Sequence, residues 1–148
     1  HTTTMLRLTV HDISPESVYE GTVYTQTVTG ELEDGTRVEF EDPTCAFEES
    51  DIGASVRVAL RAQSVHDAES QSAQTTAVSP TSTGNVDLHG CVVAVSDDAE
   101  HPLELDVGVG TLLAEAENSE VVAAGEWVTV VGARLFLGDV ERGSDDTE

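Results

Sequence analysis

The chain has no lysine, and its only cationic side chains at neutral pH are six arginines, set against 29 aspartates and glutamates for a net charge of -23. Such a balance leaves no basic loop or polybasic run. The acid is spread along the whole chain rather than massed in one block, which sets aside an acidic tail or a nucleic-acid mimic as its explanation. Aromatic residues are scarce as well, with one tryptophan, two tyrosines and three phenylalanines, so few rings are available for stacking. Two cysteines, Cys45 and Cys91, are too few for a disulfide framework and read as small buried hydrophobes. No apolar run approaches the ~20 residues of a membrane-spanning helix. His1 to Thr4 show neither a charged start nor an apolar stretch, so no signal peptide is read and cytoplasm is the expected location. No Gly-x-Ser-x-Gly or other nucleophile signature occurs, so no catalytic residue is assigned and no enzyme is expected.

What the chain does contain is a repeat. Ile52-Gly53-Ala54-Ser55-Val56-Arg57-Val58 returns as Ala124-Gly125-Glu126-Trp127-Val128-Thr129-Val130. In both copies a glycine turn feeds two valines spaced by two, the period of a strand with one buried face. Upstream, Glu20-Gly21-Thr22-Val23 is echoed by His89-Gly90-Cys91-Val92. With 148 residues, one ordinary domain or two small ones are possible, and the repeat favours two β-modules, over residues 5–65 and 86–142. The acid excess resembles that of cytosolic proteins of salt-accumulating haloarchaea. At molar salt the Debye length is ~3 Å, so the self-repulsion of the surface is mostly screened.

In order along the chain, Leu6, Leu8 and Val10 alternate with polar residues as a strand that is expected to end before Ser14-Pro15. A second strand is expected over 19–28, then a hairpin turn at Asp34-Gly35 and a third strand over 36–41. Asp42-Pro43 offers a helix start, giving a short helical turn over 44–49 before the strand led by Gly53. Residues 66–85 are rich in serine, threonine and glutamine without apolar period and read as a linker or long loop. Strands resume at Val86, Asp97-Asp98 turns the chain, and Leu103, Leu105, Val107 and Val109 alternate as one strand, with Gly108 and Gly110 read as a bend in it. Asn118-Ser119 starts a short helix that Gly125 stops, the last strands run over 127–137, and 143–148 is an acidic tail.

Two or three strands, a short connector, then a glycine-led strand is the order of a small five-stranded Greek-key barrel. Leu32-Glu33-Asp34-Gly35-Thr36-Arg37-Val38, followed after a connector by Gly53-Ala54-Ser55-Val56-Arg57-Val58, resembles the OB-fold pattern of the small translation initiation factors and related nucleic-acid binders. The resemblance covers about residues 18–65 and extends to the second module through its connector and last strand. It implies an all-β chain of two tandem OB-like barrels that bind single-stranded nucleic acid. A single β-sandwich built from both halves is the alternative architecture.

Candidate site residues follow from these elements. Arg37, Arg57 and Arg61 fall on outward strand positions, and with Tyr24 they compose a candidate patch that would hold phosphate and stack a base; the matching positions in the second copy of the repeat are Thr129 for Arg57 and Ala133 for Arg61. The opposing expectation is that these arginines pair with nearby acids. Trp127 is out of phase with Val128 and Val130, so its ring is expected to face away from the interior and, with Phe136, to mark a contact surface for the other module or for a protein partner. His89 and Cys91 have metal-ligand chemistry two positions apart, and His11, Cys45, His66 and His101 are further donors, but no second spaced pair exists, so no metal is expected. No cofactor is implied. Three functions stand open: a non-catalytic tandem module for single-stranded nucleic acid, a protein-interaction module centred on Trp127, and a site for a small oxyanion between the modules.

Overall fold

Apolar residues at every second position give ten strands in the computed structural model, which describes residues 5–97 and 101–142 except for the side chain of Ser17. They are β1 (Leu6–Tyr19), β2 (Thr22–Leu32), β3 (Arg37–Asp42), β4 (Ser55–Gln63), β5 (Glu69–Ser70), β6 (Ala77–Pro80), β7 (Val86–Val95), β8 (Leu103–Asp106), β9 (Thr111–Glu115) and β10 (Trp127–Arg142). Among the described residues the only helical elements are single 3-10 turns at Glu49–Asp51 and Ser119–Val121. The chain is all-β, as expected. Gly53 and Gly125 both lead their strands with positive φ, 90° and 95°. Val56, Val58, Val128 and Val130 are all buried behind them, so the repeat has the register read from the sequence.

The strands form one mixed sheet in the order β5-β10-β3-β2-β1-β4-β9-β8-β7-β6, with further pairings of β10 to β4 and to β7. Two tandem barrels, each with its own strands, are therefore not what is seen. The reason lies in the length of β10. Its first part pairs antiparallel with β7, from Trp127 opposite Cys91 to Ala133 opposite Val86. Its second part pairs antiparallel with β4, from Arg134 opposite Gln63 to Arg142 opposite Val56. In return the end of β4 runs parallel to β9, with Ala62 opposite Ala114, and β10 touches β3 in parallel at Phe136 opposite Glu41.

These exchanges are symmetric. Val56 opposite Arg142 in the β4–β10 ladder recurs as Val128 opposite Ser70 in the β10–β5 ladder, and Arg57 opposite Glu141 recurs as Thr129 opposite Glu69. Pairings close two circuits, β1-β2-β3-β10-β4 and β7-β8-β9-β4-β10, each with one parallel contact. Leu6, Leu8, Val28 and Phe40 of the first half belong to the same core cluster as Val86, Leu88, Leu103 and Leu105 of the second.

Several local expectations are corrected. β1 does not stop at Ser14-Pro15 but continues to Tyr19. Beyond Thr9 it has no β4 partner, so the missing N–H of Pro15 faces an open edge at no cost. The helical turn expected over 44–49 falls instead at Glu49–Asp51, and before it the buried Asp42 carboxylate accepts the N–H groups of Ala46 (3.0 Å) and Phe47 (2.9 Å) and the Gln26 amide (2.9 Å). Residues 66–85 are not bare linker, for β5 and β6 lie within them, and the Gln71 amide ties the Ala73 and Thr75 carbonyls at 3.0 Å each. The run from Leu103 to Val109 is not one strand. Gly108 and Gly110, with φ of 96° and 146°, turn the chain between β8 and β9, closed by Val107 N–H to Gly110 C=O at 3.0 Å. The helix expected from Asn118 contracts to the turn Ser119–Val121. His1 to Thr4, Asp98 of the Asp97-Asp98 turn, and the tail 143–148 lie outside the described residues.

Candidate interaction surfaces

Strand alternation puts Arg37 and Arg57 on the outer face, as read from the sequence, but the sheet spaces them out. β3 and β4 do not pair with each other: β2 and β1 stand between them on one side and β10 on the other. The cation nearest to Arg57 in register is Arg7, directly opposite on β1. Five of the six arginines carry an ion pair: Arg7 with Glu33 at 3.9 Å, Arg57 with Glu141 at 3.3 Å, Arg61 with Glu115, Arg134 with Glu41 at 2.8 Å and Arg142 with Asp51 at 3.0 Å. Arg37 has none among the described residues and lines a crevice of about 310 Å³ with Thr29, Glu39, Pro80 and Thr81.

Arg61 is not a one-sided feature. A register shift lies between Val130 and Ala133, where Gly132 has a φ of 61°, so one residue is added to the second copy. Ala133 then matches the buried Leu60, and Arg134 matches Arg61. The Arg61–Glu115 bridge from β4 to β9 and the Arg134–Glu41 bridge from β10 to β3 are one contact written twice. Each fastens a crossing strand to the opposite half. Arg142 fastens a third place: its guanidinium meets Asp51 at 3.0 and 3.1 Å, bonds the Ala46 carbonyl, and lies 5.6 Å from the Phe47 ring centre. That contact holds the Asp51 carboxyl below its ordinary range, with the Glu48 N–H assisting and burial opposing.

Tyr24 is not beside Arg37. The β2–β3 ladder runs from Glu31 opposite Arg37 to Gln26 opposite Asp42, and Tyr24 lies past the Gln26 end, about 20 Å along the strand. It belongs to a two-stranded ribbon formed by the ends of β1 and β2, where Val18 faces Val23 and Tyr19 faces Thr22. Glu20 and Gly21 make the turn with φ of 50° and 81°, a two-residue connection with both central residues left-handed. Val18, Tyr19, Val23 and Tyr24 are four of the eight large apolar side chains exposed in the described residues; the sequence reading missed Val18, Tyr19 and Val23. Glu-Gly between two β-rich triplets was the available signal.

Trp127 is half-buried beside the fully packed Val128 and Val130, out of phase with them as expected, and sits opposite Cys91. Phe136 is half-buried too, with the Arg134 guanidinium 5.3 Å from its ring centre. The two rings stand nine strand positions apart on β10 and do not form one patch. Phe136 and Arg134 line a crevice of about 680 Å³ together with His101, Glu115, Glu117 and Glu120.

His89 hydrogen-bonds Gln71 and Thr129 through Nδ1, both at 3.2 Å, and Cys91 faces the Val92 carbonyl at 3.8 Å. No group of three or more His, Cys, Asp or Glu able to hold a metal occurs among the described residues, and no helix there is long and apolar enough to cross a membrane. Comparison with protein-family models, with curated proteins and with solved structures finds no match.

Proposed function

We propose that this chain is a non-catalytic protein-interaction module of OB-like topology from a salt-accumulating, haloarchaeal-type cytoplasm. The OB-like assignment rests on the circuit β1-β2-β3-β10-β4, a five-stranded Greek-key arrangement in which β10 supplies the last strand. Its counterpart β7-β8-β9-β4-β10 makes the second, so the tandem barrels anticipated in the sequence become two that lend each other a strand. Salt adaptation is supported by the absence of lysine and the net charge of -23.

The observation that carries the interaction reading is the placement of exposed aromatic side chains. Both tyrosines stand at the ribbon tip, away from Arg37 and Arg57, and no arginine lies between Arg7 and Arg37 in sequence. A nucleic-acid site needs exposed stacking rings and free cations together, and here the exposed tyrosines stand apart from Arg37 and Arg57, while the cations that meet Phe47 and Phe136 are held in ion pairs with Asp51 and Glu41. A second reading, single-stranded nucleic acid on the outer face of β1 and β4, is favoured by the adjacent Arg7 and Arg57 and by Arg37, which has no ion pair among the described residues. The crevice at Arg37 also keeps a small oxyanion as a lesser alternative.

Fluorescence anisotropy of labelled single strands in molar potassium chloride separates the readings. The interaction reading expects no saturable binding. Saturable binding that Arg37→Ala and Arg57→Ala abolish would replace it with the nucleic-acid reading.

A further inference from the structure

Outside the arginine bridges and the crevices, one feature of the surface has no structural task. In strand pairing the ribbon tip from Val18 to Thr25 meets only itself, since β3 leaves β2 at Gln26 and β4 leaves β1 at Thr9; from outside, the Cys45 thiol reaches the Val23 carbonyl at 3.6 Å. Tyr19 is 64% exposed, Val18 55%, Tyr24 53% and Val23 36%. A short free hairpin usually carries polar side chains to its tip, because a pair of strands without a covered face gains little from apolar ones. This one carries both tyrosines of the chain.

Two bulges shape it. Pro15 faces Gln26 and Ser17 faces Thr25, which leaves Glu16 as an extra residue on β1; Ser17 faces Thr25 and Val18 faces Val23, which leaves Tyr24 as an extra residue on β2. Bulges of this kind re-aim side chains out of the regular alternation. The ribbon's charges are Glu16 and Glu20, both exposed and neither in an ion pair among the described residues, with Glu16 bordering a crevice that Arg134 also lines. No arginine lies in the ribbon or in its turn.

We propose that this tip docks an arginine-bearing segment of a basic protein partner, with Tyr19 and Tyr24 receiving guanidinium groups on their rings and Glu16 and Glu20 pairing their charge. The inference rests on the reading of the chain as an interaction module. Charge complementarity selects the occupant, since unpaired carboxylates around exposed rings repel phosphate and a second copy alike and attract a cation. Arginine fits better than lysine. A guanidinium is planar, stacks on aromatic faces, pairs carboxylates through two parallel hydrogen bonds, and is more weakly hydrated. Stacking also survives molar salt, in which a long-range charge attraction is screened within ~3 Å.

The test uses the full chain in molar potassium chloride with three probes: a short peptide of alternating arginine and serine, the same peptide with lysine for arginine, and an oligothymidylate. Backbone amide shifts are followed by NMR. The expected result is that the arginine peptide moves amides from Val18 to Thr25, that the lysine peptide binds about tenfold more weakly, and that the oligothymidylate moves nothing at the tip. Tyr19→Leu with Tyr24→Leu is expected to weaken the arginine peptide about tenfold. Melting should be unchanged, because both side chains are exposed. Equal binding of arginine and lysine peptides, indifferent to the tyrosine changes, would show diffuse attraction to an acidic surface and overturn the proposal. So would oligothymidylate binding at the tip. Arginine-peptide shifts that map elsewhere would also overturn the site, while leaving the wider reading of an interaction module in place.

Discussion

Leu105→Ala tests whether the exchanged strands make one cooperative unit. Leu105 is fully buried on β8, opposite Leu112, deep in the second half. Truncating a buried leucine to alanine costs the transfer of the lost methyl groups plus the cavity left behind, about 3 kcal/mol in a tight site. That corresponds to roughly a hundredfold in the unfolding constant. If the halves were independent, the loss would be confined to amides of β7, β8 and β9. But β10 contributes its second part to the β4 ladder, and β9 holds the end of β4 in parallel, so opening the second half removes two partners from the first. Native-state hydrogen exchange reads this residue by residue. Protection at Val28 and Phe40, which face each other across β2 and β3, should fall by the same factor as protection at Val92. If Val28 and Phe40 keep wild-type protection while Val92 loses it, the halves unfold separately and the reasoning fails.

With a net charge of -23, the melting temperature should rise from dilute to molar potassium chloride, as the Debye length shrinks from about 10 Å to 3 Å; a flat profile by circular dichroism would contradict it. Asp51 is held below its ordinary value of 3.8 chiefly by its hydrogen bonds from Arg142. A depressed folded pKa contributes stability that is fully present above the unfolded value and lost as pH falls through the folded one. The stability difference between wild type and Asp51→Asn, measured by urea unfolding, should therefore be constant near neutrality and shrink below about pH 4; a difference that grows on acidification would refute it. Arg61→Ala and Arg134→Ala should each cost up to about 1 kcal/mol, since each guanidinium is partly open to solvent and leaves a glutamate that water can still reach. Urea midpoints should fall alike for both, and a large inequality would deny that the two bridges are equivalent.

The strands were legible because period-two alternation records which face is buried, and the glycine-led valine pairs gave the repeat with its register. What stayed hidden was partner choice. Nothing in the alternation of Trp127 to Arg142 says that its first part meets β7 and its second β4, because a strand's pattern fixes its faces and not its neighbours. The β8–β9 turn was missed for a related reason: Val107 and Val109 continue the phase of Leu103 and Leu105 straight through it, and only the positive φ of Gly108 and Gly110 betrays the reversal. Asp42 was read as the cap of a helix start, but its carboxylate oxygens serve a loop, since Cys45 takes a φ of 54° that no helix allows. At the candidate site, Arg61 and Tyr24 were placed on plausible elements, yet a single added residue at Gly132 concealed the equivalence of Arg61 and Arg134.

That added residue changes which parts of the molecule count as distinctive. Once Arg134 is matched to Arg61, the glycine turns, the valine pairs, the crossing strands and the bridges that fasten them all occur twice, as one scaffold in two copies. Features needed to hold a symmetric fold are expected in both copies. A feature found in one copy is free of that requirement. The β1–β2 ribbon is such a feature: β1 and β2 span 14 and 11 residues, whereas their counterparts β7 and β8 span 10 and 4. The extra length leaves the sheet, carries the two tyrosines, and contains two of the bulges in the β1–β2 ladder. Its exposed side chains add nothing to the shared core, and that is why the proposed docking of an arginine-bearing segment is located on this ribbon rather than on the repeated scaffold.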